Sequence, residues 1–256
     1  MNTSINPRFL PLLVLAMLVN IIGQATHETG HRVVLQITGR NPVWAFTKLV
    51  QVHDTPPQNP ETWVEKIHDD GSRSWLKLSS PIAAGAETAF DAAAGPLAGL
   101  LGALIGLVFA RRSKHVEWKQ VALVFTLSIS IAALLYYLRS PNRVGGDEAD
   151  VAVYFGIAKS AIEIPFALGY AACLFLALRE LPSWRIRLAW LGTIFLGNVV
   201  TGIPMFFVDD YVIAGVDAGN PLFQPVLGYS LPVFVVNALA LVGIWGWARW
   251  QEGKSK

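Results

Sequence analysis

Charge and cysteine are both scarce in this chain of 256 residues. Only 15% of it is Asp, Glu, Lys or Arg, whereas an ordinary soluble domain carries about 25%. That is too little charge to cover a water-facing surface of this size. The formal net charge is +2, and no basic block is interleaved with aromatics, so the composition offers nothing to a nucleic acid. The single cysteine, Cys173, lies inside an apolar run. One thiol excludes an intrachain disulfide framework and any cysteine-built zinc site. Internal repeats and low-complexity tracts are also lacking.

What fills the chain instead is apolar sequence: 53% of residues are hydrophobic and the mean hydropathy is +0.45. A helix needs ~20 apolar residues to cross a bilayer. Six such runs fall at about 8–27, 82–110, 119–138, 151–179, 187–208 and 224–248. The sequence therefore predicts an all-α polytopic membrane protein of about six transmembrane helices in a single membrane domain, with the lipid bilayer as its solvent. The first run also has the parts of a secretory signal peptide, namely Arg8, an apolar core and "GQA", but cleavage near Ala25 would leave His27 on a frayed terminus. Residues 32–81 form the one long polar loop. In it "WVEKIHDDGSRSWLKL" reads as two short strands joined at Asp69-Asp70-Gly71, a small β-hairpin. Three basic clusters (Arg111, Arg112, Lys114 and Lys119; Arg179, Arg185 and Arg187; Arg249, Lys254 and Lys256) share one side when there are six spans. The segment "VDDYVIAGVDAGNPLFQP" on the other side has no basic residue. The positive-inside rule then places both termini in the cytoplasm, although the six Lys and Arg of loop 32–81 pull against it.

The stretch "NIIGQATHETGHRVV" puts His27, Glu28 and His31 at the end of an apolar run, where ionisable groups are costly unless compensated. His27-Glu28-Thr29-Gly30-His31 is an H-E-x-x-H motif. On a helix, residues four apart share a face, so two imidazoles reach one Zn²⁺ with the glutamate beside them as general base. The bland alternative is a pair of interfacial histidines with Glu28 bonded to Arg32. Catalytic zinc usually takes three protein ligands and leaves a place for water. No third histidine follows His31, where the chain reads "RVVLQITGR". The third ligand stays open among Glu87, Asp91, Asp147, Asp150, Asp209, Asp210 and Asp217. Glu87 and Asp91, four apart near the start of the second span, are candidates for lining the site or for its outer shell. Lys159 and Glu163 read as an internal ion pair.

With the H-E-x-x-H in the first span, "AAAGPLAGLLGALIG" (Ala92–Gly106) in the second and "GGDEADVAVYFGIAKSAIEIPF" opening the fourth, the chain resembles the site-2 protease family of intramembrane zinc metallopeptidases over about residues 10–170. In that family a Gly-Pro-containing helix packs beside the H-E-x-x-H helix and a later aspartate completes the metal site. The resemblance implies Gly95 and Pro96 beside the site and Asp147 as third ligand. Two departures stand out: Gly99 takes the place of the family's asparagine, and its usual Leu-Asp-Gly is absent. Asp209 and Asp210, after Asn198 and Pro204, are the second-choice ligands, and Asp150 the near alternative.

Position along the chain supports Asp147 separately. The third span ends near Leu138, which puts Asp147 on the same side of the membrane as the end of the first span, and Gly145-Gly146 allow an unwound approach to a metal. An N-cap role for the helix that follows competes with this. The expected chemistry is peptide-bond hydrolysis in or near the membrane, with Zn²⁺ as cofactor and a membrane-embedded or membrane-adjacent peptide as substrate. The alternatives are a metal-binding membrane transporter or a non-catalytic relative of the family.

Overall fold

Among the described residues, six helices of the computed structural model are long and apolar enough to cross a membrane, as an all-α polytopic membrane protein requires. The structure describes residues 9–40, 42–50, 52–53, 55–56, 63–67, 71, 73–77, 85–140 and 145–254. The spanning helices are α1 (Phe9–Ile37), α2 (Ala86–Arg112), α3 (Val116–Arg139), α5 (Lys159–Arg179), α6 (Trp184–Asp217) and α7 (Leu231–Lys254); a short α4 (Asp147–Phe155) precedes α5. α1 sits inside the bundle and packs on α2, α3, α6 and α7.

Four expected spans have different outlines. The run 187–208 lengthens to Trp184–Asp217, and 224–248 starts only at Leu231 because 225–226 and 229–230 are strands. α1 continues to Ile37, ten residues past the apolar window 8–27, because the histidine segment is itself helical. It stops where Gly39 adopts φ +79°, with Gly39 N donating to Gln36 O (3.1 Å) and Arg40 N to Leu35 O (2.7 Å), the left-handed ending that glycine supplies. The run 151–179 is broken: Gly156, at φ +63°, ends α4 and lets α5 start afresh at Lys159. α6, at 34 residues, is ~51 Å long, well beyond the ~30 Å hydrocarbon layer. Together α1 and α6 therefore carry the fold past the membrane at the end where the loops gather.

That end holds both sheets. β1 (Val43–Trp44), β2 (Leu49–Val50), β6 (Pro225–Val226) and β7 (Tyr229–Ser230) form one, in the order β2-β1-β7-β6; Trp44 pairs with Tyr229 in parallel. The other joins β3 (Val52–His53) to β5 (Arg73–Lys77) and β4 (Trp63–Ile67), order β3-β5-β4. β4 and β5 are antiparallel, with Trp63 opposite Lys77 and Ile67 opposite Arg73. This is the expected hairpin; Asp69 and Asp70 of its turn lie outside the described residues, as do residues 57–62 and the side chain of Asp217.

Within the bilayer, water cannot satisfy polar side chains, so they find each other. Ser128 Oγ donates to Asn198 Oδ1 (2.6 Å), whose amide returns a bond to Ser128 O (3.0 Å), and Asn20 Nδ2 donates to Thr201 Oγ1 (2.6 Å). Asn198 is thereby committed to helix packing. Glycines let the helices approach. A Cβ on Gly30 would collide with the carbonyl oxygen of Ala94, so this helix-weakening residue is what allows α1 to lie directly on the backbone of α2.

Candidate metal centre

His27 and His31 lie on the same face of α1, turned towards α2. Nε2 of His31 is 3.2 Å from Nε2 of His27. Oδ2 of Asp147, the first residue of α4, is 3.4 Å from each of those nitrogens. Ligand atoms ~2.0–2.1 Å from a tetrahedral ion are ~3.3–3.4 Å apart, so the triangle has the size of three corners of such a site. His27, His31 and Asp147 form a group that could hold a metal ion. The floor below them is Gly95: a Cβ there would collide with Nε2 of His31 and come within 2.7 Å of Nε2 of His27. The missing side chain thus leaves the space where an ion would be cradled.

The ligands are held at their far ends. His31 Nδ1 donates to the backbone carbonyl of Asp91 at 2.8 Å, which fixes the tautomer and directs Nε2 into the site. Trp44 stacks on His31, with centroids 5.8 Å apart and an interplanar angle of 24°. The side chain of His31 is 8% exposed, against 32% for His27 and 34% for Asp147. The cluster is therefore walled on the His31 side and open to solvent on the other. Burial works against ionisation of Asp147, yet the facing His31 and His27 imidazoles outweigh it and hold the carboxyl well below the usual carboxylate range.

Glu28 is buried and accepts from Gln24 Nε2, one turn earlier, at 2.9 Å on Oε1. Arg32 does not pair with it; the guanidinium lies 5.5 Å above the ring of Tyr229. Tyr229 is bonded through its hydroxyl to Thr29, so β7 is fastened to α1 between the two halves of the motif.

Asp147 does not act as an N-cap. Gly146 occupies that position at φ +103°, and no side-chain capping bond is made. The turn is fixed from two sides. Lys159 Nζ donates to Gly145 O (2.8 Å) and pairs with Glu163 (3.5 Å), the expected ion pair, while Glu163 also takes a hydrogen bond from Ser140. Glu148 turns inward, 2% exposed, and accepts from Tyr136 (3.0 Å) and Tyr137 (2.7 Å). Burial raises the pKa of Glu148, and the charge of Asp147 adds to that, against the two phenolic bonds.

Of the other sequence candidates, Asp91 borders the cluster, while Glu87, Asp209 and Asp210 are bonded elsewhere. Glu87 forms a two-point pair with Arg40 (2.8 and 2.9 Å), tying the end of α1 to the start of α2. Asp91 lies beside His31, with Oδ1 3.5 Å from Nδ1. The Pro96 carbonyl accepts from Tyr170 (3.0 Å), whose hydroxyl fills the space over Gly99. Asp209 is fully buried and accepts from Phe46 N (2.7 Å), Thr47 N (2.9 Å) and Thr47 Oγ1 (2.6 Å). Asp210 pairs with Lys48 at 2.6 Å. Neither they nor Asp150 join the cluster among the described residues. Sequence reasoning missed Trp44, Glu148 and the four tyrosines Tyr136, Tyr137, Tyr170 and Tyr229. Only Gln24 carried a local sign, its four-residue spacing from Glu28. Compared with known proteins, the chain matches no protein-family model, no curated protein and no solved structure.

Proposed function

We propose that the protein is a membrane-embedded zinc metallopeptidase, a divergent relative of the site-2 proteases, cutting a peptide bond in or near the bilayer. The observation that carries this reading is the three-point cluster of His27, His31 and Asp147 with buried Glu28 inside the same H-E-x-x-H turn. Two imidazoles and a carboxylate are a donor set that suits Zn²⁺. When bound, the ion supplies a Lewis acid that lowers the pKa of water and polarises the scissile carbonyl. The chain's own residues do the rest. Glu28, steadied through Oε1 by Gln24, takes the proton of the attacking water and delivers it to the leaving amine. The open side at His27 and Asp147 admits the peptide, and Trp44 closes the His31 side. The basic end of the bundle, at Arg111, Lys119, Arg179 and Arg187, faces the cytoplasm by the positive-inside rule. The centre opens at the other face.

The test is Glu28→Gln in purified, detergent-solubilised protein. Zinc is measured by elemental analysis, and cleavage is followed on a set of single-span peptides. The variant should keep about one zinc per chain and lose cleavage. Wild-type protein without zinc, or undiminished cleavage by the variant, would overturn the reading. A metal transporter has no use for that proton acceptor, so zinc flux into vesicles surviving Glu28→Gln, with no cleavage by either protein, would favour transport instead.

A further inference from the structure

The Gly145-Gly146 turn, with φ values of +84° and +103°, has no stiffness of its own, yet the carboxylate that follows it must be placed to within ~0.5 Å for a metal site to work. Lys159 holds the Gly145 carbonyl (2.8 Å), and what holds the helix start that carries Asp147 is the neighbouring side chain. Glu148 stands in the first turn of a nine-residue helix, where an acidic group ordinarily reaches water. Here it is 2% exposed and spends both oxygens on phenols from the end of α3. Gly146 leaves the space for this, since a Cβ there would collide with the Tyr136 hydroxyl. The tyrosines continue inward: the Tyr137 ring lies 6.3 Å from that of Tyr170, whose hydroxyl holds the Pro96 carbonyl next to the Gly95 floor.

We propose that Glu148 is the positioning residue of the metal centre: clamped by Tyr136 and Tyr137, it aims Asp147 at the histidine pair. Metal affinity then depends on two hydroxyls that never touch the ion. This rests on the zinc reading above. Burial of a carboxylate with two hydroxyl donors is tolerable only because both oxygens are satisfied. Removing the hydroxyls frees the helix start to rotate, and Asp147 moves with it. Outer partners of metal ligands typically change affinity by 10–100-fold.

The experiment measures zinc affinity, by competition with a chromophoric chelator, and thermal stability in detergent. It compares wild type, Tyr136→Phe/Tyr137→Phe, Glu148→Gln and Glu148→Ala, each also in an Asp147→Asn background. The double tyrosine variant and Glu148→Ala should bind zinc ~10–100-fold more weakly. Glu148→Gln, which keeps one acceptor oxygen, should fall between them and wild type. In the Asp147→Asn background the same changes should add no further loss. Equal zinc affinity in wild type and the clamp variants overturns the proposal. So does an affinity loss of the same size with Asp147 already replaced, which would mark general loosening of the fold. Should the double tyrosine variant fail to fold, Glu148→Gln against wild type decides alone by the same criteria. A wild-type protein that binds no zinc defeats the underlying metal reading instead, which separates the two failures.

Discussion

Asp147-Glu148 and Asp209-Asp210 are adjacent acidic pairs at the same end of the bundle, and they have opposite fates. In each, one carboxylate is buried and fully bonded: Glu148 by two tyrosines, Asp209 by Phe46 N, Thr47 N and Thr47 Oγ1. The difference lies in the other member. Asp210 reaches out to Lys48, a cation that answers its charge directly. Asp147 faces two imidazole nitrogens, which answer a carboxylate only when protonated or when a cation lies between them. A carboxylate whose partners are obligate donors is mortar; one that faces two imidazole nitrogens belongs to a group that could hold a metal ion. Burial alone does not separate the two, since Asp209 is the more buried.

The contrast is broken most directly by Asp147→Asn against Asp209→Asn. The first should bind zinc far more weakly, though still measurably through the two histidines, because a neutral amide is a much poorer ligand than a carboxylate, while the fold persists. The second should keep zinc. Undiminished zinc affinity in Asp147→Asn and weakened affinity in Asp209→Asn would exchange the roles assigned here. Gly95→Ala should abolish zinc binding, since the added Cβ meets both Nε2 atoms; retention of one zinc per chain would show that the cradle lies elsewhere. Asp209→Ala should leave the metal in place but destabilise the folded protein by about 3 kcal/mol, as three donors lose their acceptor and each orphaned buried donor costs ~1–3 kcal/mol. Chemical unfolding in mixed micelles reads this. Asp210→Asn, removing an exposed pair, should change stability by less than ~1 kcal/mol.

The smallest effect belongs to the opposite end of the bundle, where Glu180 joins Lys119 (3.0 Å) and Arg111 (3.1 Å). Partial burial would raise its pKa, but the hydrogen bonds from Lys119 and Arg111 outweigh it and hold the carboxyl below its ordinary value of 4.5. A carboxyl with a lowered folded pKa stabilises the fold in full above its unfolded value and loses that contribution as pH falls through the folded one. Glu180→Gln should therefore flatten the acid limb of the stability profile below about pH 4.5 and leave zinc binding unchanged. An unchanged acid limb would show the pair to be idle.

Much of this was legible from residue order alone, for reasons that are local. His27 and His31 are four apart on one helix, so their meeting needs no knowledge of the rest of the fold. Asp147 could be placed on the correct side by counting spans. The β4–β5 hairpin followed from its own strand and turn chemistry. Glu148 was not legible as a clamp, because its partners stand at the end of α3, across a turn whose path residue order does not give. Trp44 was hidden for a stronger reason: a two-residue strand has almost no signature, and its neighbour in the sheet is Tyr229. The break at Gly156 was masked by apolar residues on both sides, which read as one continuous span.

The roof over His31 is stitched from residues 43–50 and 225–230, segments that leave the ribosome far apart in time. Once α4 is made, His27, His31 and Asp147 can already meet. At that moment β1 has only β2 for company, and Phe46 and Thr47 still await Asp209 on α6. Pairing across such a separation comes late, after nearby contacts have formed. Chain order thus brings out His27, His31 and Asp147 before the strands β6 and β7 that complete the sheet beside them. A nascent chain halted after α5 would already carry Trp44, the ring that stacks on His31, but would lack Tyr229, the strand neighbour of Trp44 that bonds to Thr29.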